Sequence, residues 1–414
     1  MFGKYNEPTK KSDKTTEEIA GTDTSCEISG YSDYYDHISV FYRILSFVFI
    51  ISFLIYIVMT SFKNAEDFNY ENFEYIARNF ALTLEEHKDN SVYAIEYNPD
   101  PSRSCALFGD GLAVRGSSWL SIYSATGRLT CSETFKYKDP RMAASDKFVL
   151  IYNSSDYEYS LYNAFGRVYY EKIDQVIHGG AVSDSGYYAL ITSSEHYNTA
   201  VELYDDTFSL IFRFNKTGFV IDVDINDKFL LITSVTESGD NSYETEIQVF
   251  DIITNQVLFT ESVSDNFSVE CCILNNGFAV IGNNFASFFD HEGNEDNRFD
   301  YHGKPLYDLS LKEDGAVILF KNDSLGSEYS SVVLNESGEI LYEHRLTEKV
   351  YDLEICGEWS YYLMDTALIY TNGNITNEIQ VADISEDDTL LAFKDGLVYV
   401  CTATKAPLFD LSAD

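Results

Sequence analysis

With 414 residues, the chain is long enough for one large domain or two ordinary ones with a developed core. Sixty-seven acidic residues against 28 basic ones leave a formal charge of −39, a field that repels phosphate backbones and argues against nucleic acid as a partner. Abundant Tyr (32) and Phe (29) with scarce Pro (6) favour strands over disorder, because aromatic side chains pack well on a pleated, half-buried surface.

Residues 1–39 form a polar tail in which Lys4, Lys10, Lys11 and Lys14 are outnumbered by eight acids, so it is expected to be solvated and disordered. The bulk of the negative charge therefore belongs to the large domain that follows. The run ILSFVFIISFLIYIVM (44–59) holds no charge and, extended through Phe62, gives a 19-residue helix. At 1.5 Å per residue that is about 28 Å, close to a hydrocarbon core of roughly 30 Å. Arg43 and Lys63 bracket the stretch and Tyr42 lies at its edge as an interfacial aromatic. The run starts too far from the N-terminus for a cleaved signal peptide, and no small-residue cleavage site follows it. Residues 40–62 are thus expected to be a single transmembrane helix acting as an uncleaved signal anchor, with membrane contact over 44–62.

Near-flank basic residues are almost balanced, Arg43 against Lys63 and Arg78, so the positive-inside rule is nearly silent. The usual single-anchor arrangement places the short tail in the cytoplasm and the domain outside the cell membrane, although the unpaired cysteines argue mildly the other way. Residues 63–90 are expected to form a juxtamembrane helix or linker. Within 65–87, Phe73, Ile76, Phe80 and Leu84 recur at helical spacing and make one face apolar.

From residue 91 to about 410 the chain repeats itself. A turn followed by a short apolar run occurs as GDGLAVRG (109–116), SDKFVLIY (145–152), SGYYALIT (185–192), NDKFLLIT (226–233), NNGFAVIG (275–282), EDGAVILF (313–320), GEWSYYLM (357–364) and EDDTLLAF (386–393). The copies are 36, 40, 41, 49, 38, 44 and 29 residues apart, about the span of a four-stranded blade. A second unit, strand–turn–strand, interleaves with the first, as in SIYSATGRLT (121–130) and SVVLNESGEILY (331–342). Gly127, Gly166, Gly293, Gly338 and Gly373 stand where its hairpins need a positive φ or a tight reversal. One further strand precedes each first unit, as in FVIDVDIN (219–226), PLYDLSLK (305–312) and VYDLEICG (350–357), which makes four strands per repeat.

Four-stranded sheets of about 40 residues cannot cover both faces alone, and radial stacking into a ring does so while protecting their edges. The expected fold class is all-β, a β-propeller of about eight blades with seven as the alternative. Its last blade, EDDTLLAF with DGLVYVCT (395–402), is short of one outer strand, which SVYAIEY (91–97) can supply to close the ring.

This repeat pattern resembles the WD-repeat-like and quinoprotein-like propellers. The order of tail, anchor and propeller over residues 40–410 resembles a family of membrane-anchored Firmicutes propeller proteins classed as a domain of unknown function. The Gly-His and Trp-Asp dipeptides of WD repeats are absent, and only Trp119 and Trp359 are present where quinoprotein blades use docking tryptophans. No quinone or other cofactor is expected.

No GxGxxG, GxxxxGK[ST], HExxH or GxSxG occurs, and the seven histidines are scattered singly. Cys26, Cys105, Cys131, Cys271, Cys272, Cys356 and Cys401 include no CxxC pair and read as small apolar residues, with neither a disulfide framework nor a zinc spacing. The best metal candidates are Asp222, Asp224 and Asp227 with Asn226 in DVDIND, where alternating carboxylates could surround a hard cation. The plainer alternative is that Asp and Asn close a turn, and similar turns (SDSG, KEDG, SEDD) recur without a full ligand set. DHEGNEDNRFD (290–300) reads likewise as an acidic loop. No catalytic or cofactor-binding residues are expected. The chain reads as a non-enzymatic, protein-binding scaffold of an envelope assembly, with a ligand- or cation-binding sensor signalling through the single helix as the alternative.

Overall fold

The computed structural model describes residues 42, 45–51, 93–238, 242–322, 328–382, 384–394 and 396–411. The chain divides into two units, Met1–Ile76 and Ala77–Asp414. In the first unit, Tyr42 and residues 45–51 are helical, and Phe47 and Phe49 are exposed. Among the described residues no helix is long and apolar enough to cross a membrane. Most of the expected anchor, the tail over 1–39 and the amphipathic stretch over 65–87 lie outside the described residues.

The second unit consists of eight four-stranded sheets whose neighbouring strands all pair antiparallel. Their first strands are Ser104–Phe108, Pro140–Ala144, Ile177–Val182, Phe219–Ile225, Ser268–Leu274, Leu306–Lys312, Val350–Cys356 and Thr389–Phe393. Each first strand touches the first strand of the next sheet, and the eighth touches the first, so the sheets are the blades of a closed ring. The alternative of seven blades is excluded.

Closure explains the sequence pattern. The second and third strands of a blade are sandwiched by its neighbours, so they read as unbroken apolar runs: Gly277–Gly282 and Phe285–Phe289 are buried at every position. The outer strand Glu295–Asp300 reaches solvent and is polar. The core lies between blades: Leu231 and Val249 of the fourth pack with Phe278 and Val280 of the fifth. Tyrosine rings fill these layers, and in several cases the hydroxyl finds a partner within them. Tyr159 and Tyr188 meet hydroxyl to hydroxyl at 2.9 Å, and the Tyr188 ring stacks on Tyr204 at 4.7 Å.

The hairpin glycines adopt positive φ, for example 72° at Gly127, 86° at Gly293 and 74° at Gly338. At Gly338 a Cβ would also come within 2.4 Å of the Phe288 ring, so both backbone and packing demand glycine there.

The last blade borrows its outermost strand from the start of the domain. Ala94–Glu96 pairs with Lys405–Asp410, Ala94 opposite Pro407 and Glu96 opposite Lys405. Ile95, only 2% exposed, inserts into a cluster with Tyr399, Ala406 and Leu408 of the eighth blade. One element differs from the expected register. EDDTLLAF contributes the first strand of this blade (Thr389–Phe393), and the true eighth copy of the turn-and-strand unit is DGLVYVCT, whose strand is Leu397–Cys401. It starts at 395, so the interval from residue 357 is 38 residues, not 29. The acidic stretch before Thr389 belongs to the loop between blades, and such a loop looks like a hairpin turn when both are acidic.

Candidate functional site: an acidic channel and its mouth

The first strand of each blade is paired with another strand on one side only, so its other edge faces the ring axis with N–H and C=O groups that no strand ladder engages. In four successive blades a β-bulge interrupts this strand, and the residue after the bulge is acidic: Asp222, Glu270, Asp308 and Asp352. The bulge re-aims the side chain that follows it. Repeating it around half the ring sets a wall of carboxylates beside the axis.

Several of these carboxylates cap the free edge of the next blade. Asp222 accepts the Cys271 N–H at 2.9 Å and Asp224 the Ile273 N–H at 2.7 Å, both on the fifth blade. Asp352 accepts the Leu390 N–H at 2.6 Å on the eighth, while Ser310 Oγ accepts the Ile355 N–H at 3.3 Å. Loss of one cap is testable: Asp224→Ala strands the Ile273 N–H and should cost about 2 kcal/mol. Hydrogen exchange at Ile273 should then quicken; an unchanged rate would show that the cap is dispensable.

Crowding of like charges in a poorly solvated wall favours protonation. Burial, followed by the charges of Asp222, Glu354, Asp224 and Asp308, pushes the Glu270 carboxyl up to about 8. Burial raises Asp352 to about 7, against the opposing Leu390 N–H bond and with a further push from Glu354 and Asp308. Burial likewise raises Asp222, Asp224, Asp308 and Glu354. Lys312 pairs with Glu354 and partly offsets the effect there, its ammonium also donating to the Ala392 carbonyl at 2.8 Å.

The channel opens among the turns that join first and second strands, and these turns bridge neighbouring blades. The Asp146 N–H donates to Asp184 Oδ1 at 2.8 Å, the Ser185 N–H to Asp227 Oδ1 at 3.0 Å, and the Gly357 N–H to Asp314 Oδ2 at 3.1 Å. Lys394 of the eighth blade pairs with Asp110 of the first, across the ring seam. Between the second, third and fourth blades and the sixth lies a cavity of about 410 Å³ that brings together Asp146, Asp184, Asp224, Asp227 and Lys228 with Glu313 of the sixth. Burial and then the charges of Asp184 and Asp110 raise the Asp146 carboxyl; burial and then Asp224 and Asp314 raise Glu313. The cavity has the chemistry to receive a cationic side chain or ligand.

Of the candidate metal residues, Asp224 and Asp227 line this cavity, whereas Asp222 is engaged between the fourth and fifth blades. Asn226 Oδ1 accepts the N–H groups of Lys228 and Phe229 at 2.9 and 2.8 Å and closes the turn. Among the described residues no three His, Cys, Asp or Glu side chains converge at a metal-binding spacing. In 290–300, Asp290 accepts the N–H groups of Glu292 and Asn294 at 2.8 and 2.9 Å and closes the turn, while Arg298 pairs with Glu295 on the strand that follows. Sequence reasoning missed Glu270, Asp308, Asp352, Glu354, Asp146 and Glu313. For Glu270, Asp308 and Asp352 a signal was present: with Asp222, they stand at matching positions in FVID, SVE, PLYD and VYD, just before the buried part of each first strand.

Eight radial sheets, first strands around an axis and a borrowed closing strand define an eight-bladed β-propeller. The chain belongs to a family of unknown function (DUF5711), which it matches over residues 87–397. No curated protein matches it. Among solved structures it is similar to BamB from Moraxella catarrhalis, at 13% identity and a TM-score of 0.54, covering 78% of this chain and 98% of that one. It is also similar to the C-terminal WD40 domain of Sif2, at 12% identity and a TM-score of 0.53 over 77% of this chain and 97% of that one. Sqt1 of Saccharomyces cerevisiae matches at 10% identity and a TM-score of 0.50, with 78% and 99% covered. At these identities the likeness establishes the fold.

Proposed function

We propose that this protein is a membrane-anchored, non-enzymatic scaffold whose propeller stands outside the cell membrane, its tail in the cytoplasm, and docks a protein partner within an envelope assembly. The observation that carries the reading is the acidic cavity at the channel mouth, in which five carboxylates surround about 410 Å³ of space on a rigid ring. Such a mouth fits a Lys or Arg side chain presented by a partner, and it discriminates against anionic surfaces. The uncharged run 44–59 supports the anchor, and the net charge weighs against nucleic acid.

The test neutralises the mouth without touching the blade cores. Crosslinking of membranes carrying the full chain should recover one stoichiometric partner, and the Asp146→Asn, Glu313→Gln double variant should recover at least about tenfold less of it, the worth of some 1.4 kcal/mol. Recovery of no partner, or equal recovery by both chains, would overturn the scaffold. The same cavity supports a second reading, a sensor for a cation or cationic ligand. Calcium or magnesium should then raise the unfolding midpoint of the full chain, and no shift at millimolar cation would discard the divalent-cation form.

A further inference from the structure

We propose that the junction of the third and fourth blades is a docking groove for one segment of a protein partner, cationic at one end and apolar at the other. The groove extends the acidic mouth and rests on the partner-docking reading given above. A break in the repeat marks it. Tyr169, Phe259 and Tyr342 share one register position on their outer strands, opposite Leu161, Val249 and Val333 of the third strands. Each is met by the hairpin turn between the third and fourth strands of the next blade. The Phe208 ring stacks on Tyr169 at 4.4 Å, and a Cβ at Gly293 or Gly373 would come within 2.5 Å of the Phe259 ring or 2.6 Å of the Tyr342 ring. Phe212, opposite Leu203 in the third blade, is the matching residue. The turn of the fourth blade carries Asn255 (φ 55°) as its left-handed residue, where the others carry Phe208, Gly293 and Gly373, and Phe212 stays 42% exposed while Phe259 is 9% exposed.

The surface around Phe212 is apolar. Its ring lies 5.2 Å from that of Phe250 in the fourth blade, and Phe250 pairs with Val257 across the hairpin. Residues directly opposite in an antiparallel pair share a face of the sheet, so Val257 looks toward the third blade as Phe250 does. Val257 is 45% exposed and Ile253, in the turn before it, 70%.

The inner end of the same junction is the acidic cavity, lined there by Asp184 of the third blade and by Asp224 and Asp227 of the fourth. In an antiparallel blade the turns after the first and third strands lie at the same end, so the cavity and the apolar cleft open on one face of the ring. Asp206, in the outer turn of the third blade, carries the negative charge outward: a Cβ at Gly186, beside Asp184, would lie 3.8 Å from the Asp206 Cβ. Neighbouring strands are about 4.8 Å apart, which sets the two ends of the groove about 14 Å from each other. A helical segment covers that span in about nine residues and an extended one in about four. Charge selects the occupant. A second copy brings 67 further acids against 28 bases and anionic lipid is repelled likewise, whereas a Lys or Arg neutralises the cavity while Leu or Phe side chains cover Phe212, Ile253 and Val257.

The probe is a fluorescein-labelled peptide with a pair of arginines and a pair of leucines, joined by an Ala/Gln spacer of about nine or about four residues. Fluorescence anisotropy follows its binding to the full chain in nanodiscs of neutral lipid, with empty nanodiscs as the blank. One of the two spacers should bind at least about tenfold more tightly than the same peptide with serines for leucines. Ile253→Ser with Val257→Thr, both at exposed positions, should erase that difference and leave the serine peptide's affinity unchanged. Leu341→Ser, an exposed position on the sixth blade, should bind both peptides as wild type does. Asp146→Asn with Glu313→Gln should weaken both peptides. If the mouth variant weakens both but the leucines add nothing, or if the Ile253 variant keeps the tenfold gain or Leu341→Ser loses it, the groove is overturned while the mouth stands. Arginine peptides that bind wild type and mouth variant alike would remove the reading beneath it as well. A wild-type dimer dispersed by Ile253→Ser would assign the cleft to a second copy and overturn the proposal.

Discussion

Ile95→Asp is expected to open the ring. Ile95 lies on the strand that completes the eighth blade and is packed against Tyr399, Ala406 and Leu408. A carboxylate there would be buried without a partner, and the aliphatic contacts would be lost as well, a combined cost of about 4 kcal/mol. Because that strand joins the start of the domain to its end, the damage reaches the seam: Tyr97, two residues on, donates to the carbonyls of Thr402 and Lys405 at 2.6 and 3.1 Å. Equilibrium urea unfolding of the full chain should show a midpoint far below wild type, with Ile95→Val close to it. A midpoint within error of wild type for the Asp variant would mean that the ring closes without this strand.

Alkaline pH is expected to weaken the propeller through its channel. Glu270 titrates near 8 and Asp352 near 7 in the folded protein, well above carboxylates of an unfolded chain. The folded state thus binds more protons than the unfolded state between roughly pH 4.5 and 8. Their contribution is complete below the unfolded-state values and is lost as pH rises through the folded ones, so stability should fall steadily from about pH 5 to pH 8.5. Each pK unit corresponds to about 1.4 kcal/mol. Glu270→Gln, which keeps the shape and removes the titration, should be more stable than wild type at pH 8.5 by about 2 kcal/mol and close to it at pH 5. Parallel stability curves for the two proteins across that range would show that Glu270 does not carry the effect.

The repeat, its blade-sized interval and the need for a borrowed strand were legible in the chain because they are local or periodic properties. A strand buried on both sides must be apolar throughout, as in Gly277–Gly282, and a hairpin with positive φ must use a residue such as Gly338. The misplaced eighth copy marks the limit of that logic. An acidic loop between blades and an acidic hairpin turn within one read alike until pairing shows which side of Thr389–Phe393 is hydrogen-bonded.

The channel was legible only in part. Asp222 and Asp224 stood out because they lie two residues apart, while Glu270 and Asp352 belong to other blades and look like ordinary surface acids in a chain that has 67 acidic residues. Likewise the ion pair of Lys394 with Asp110 joins positions at opposite ends of the domain. The sequence by itself determined what is written in short-range periodicity: an uncharged run of membrane-spanning length, four-stranded units and their repetition. Tertiary structure alone decided what depends on curvature, namely which residues from separate blades meet at the axis and at the seam. The physical reason is that ring closure converts separations of tens to hundreds of residues into hydrogen-bond distances, and no local pattern encodes that conversion.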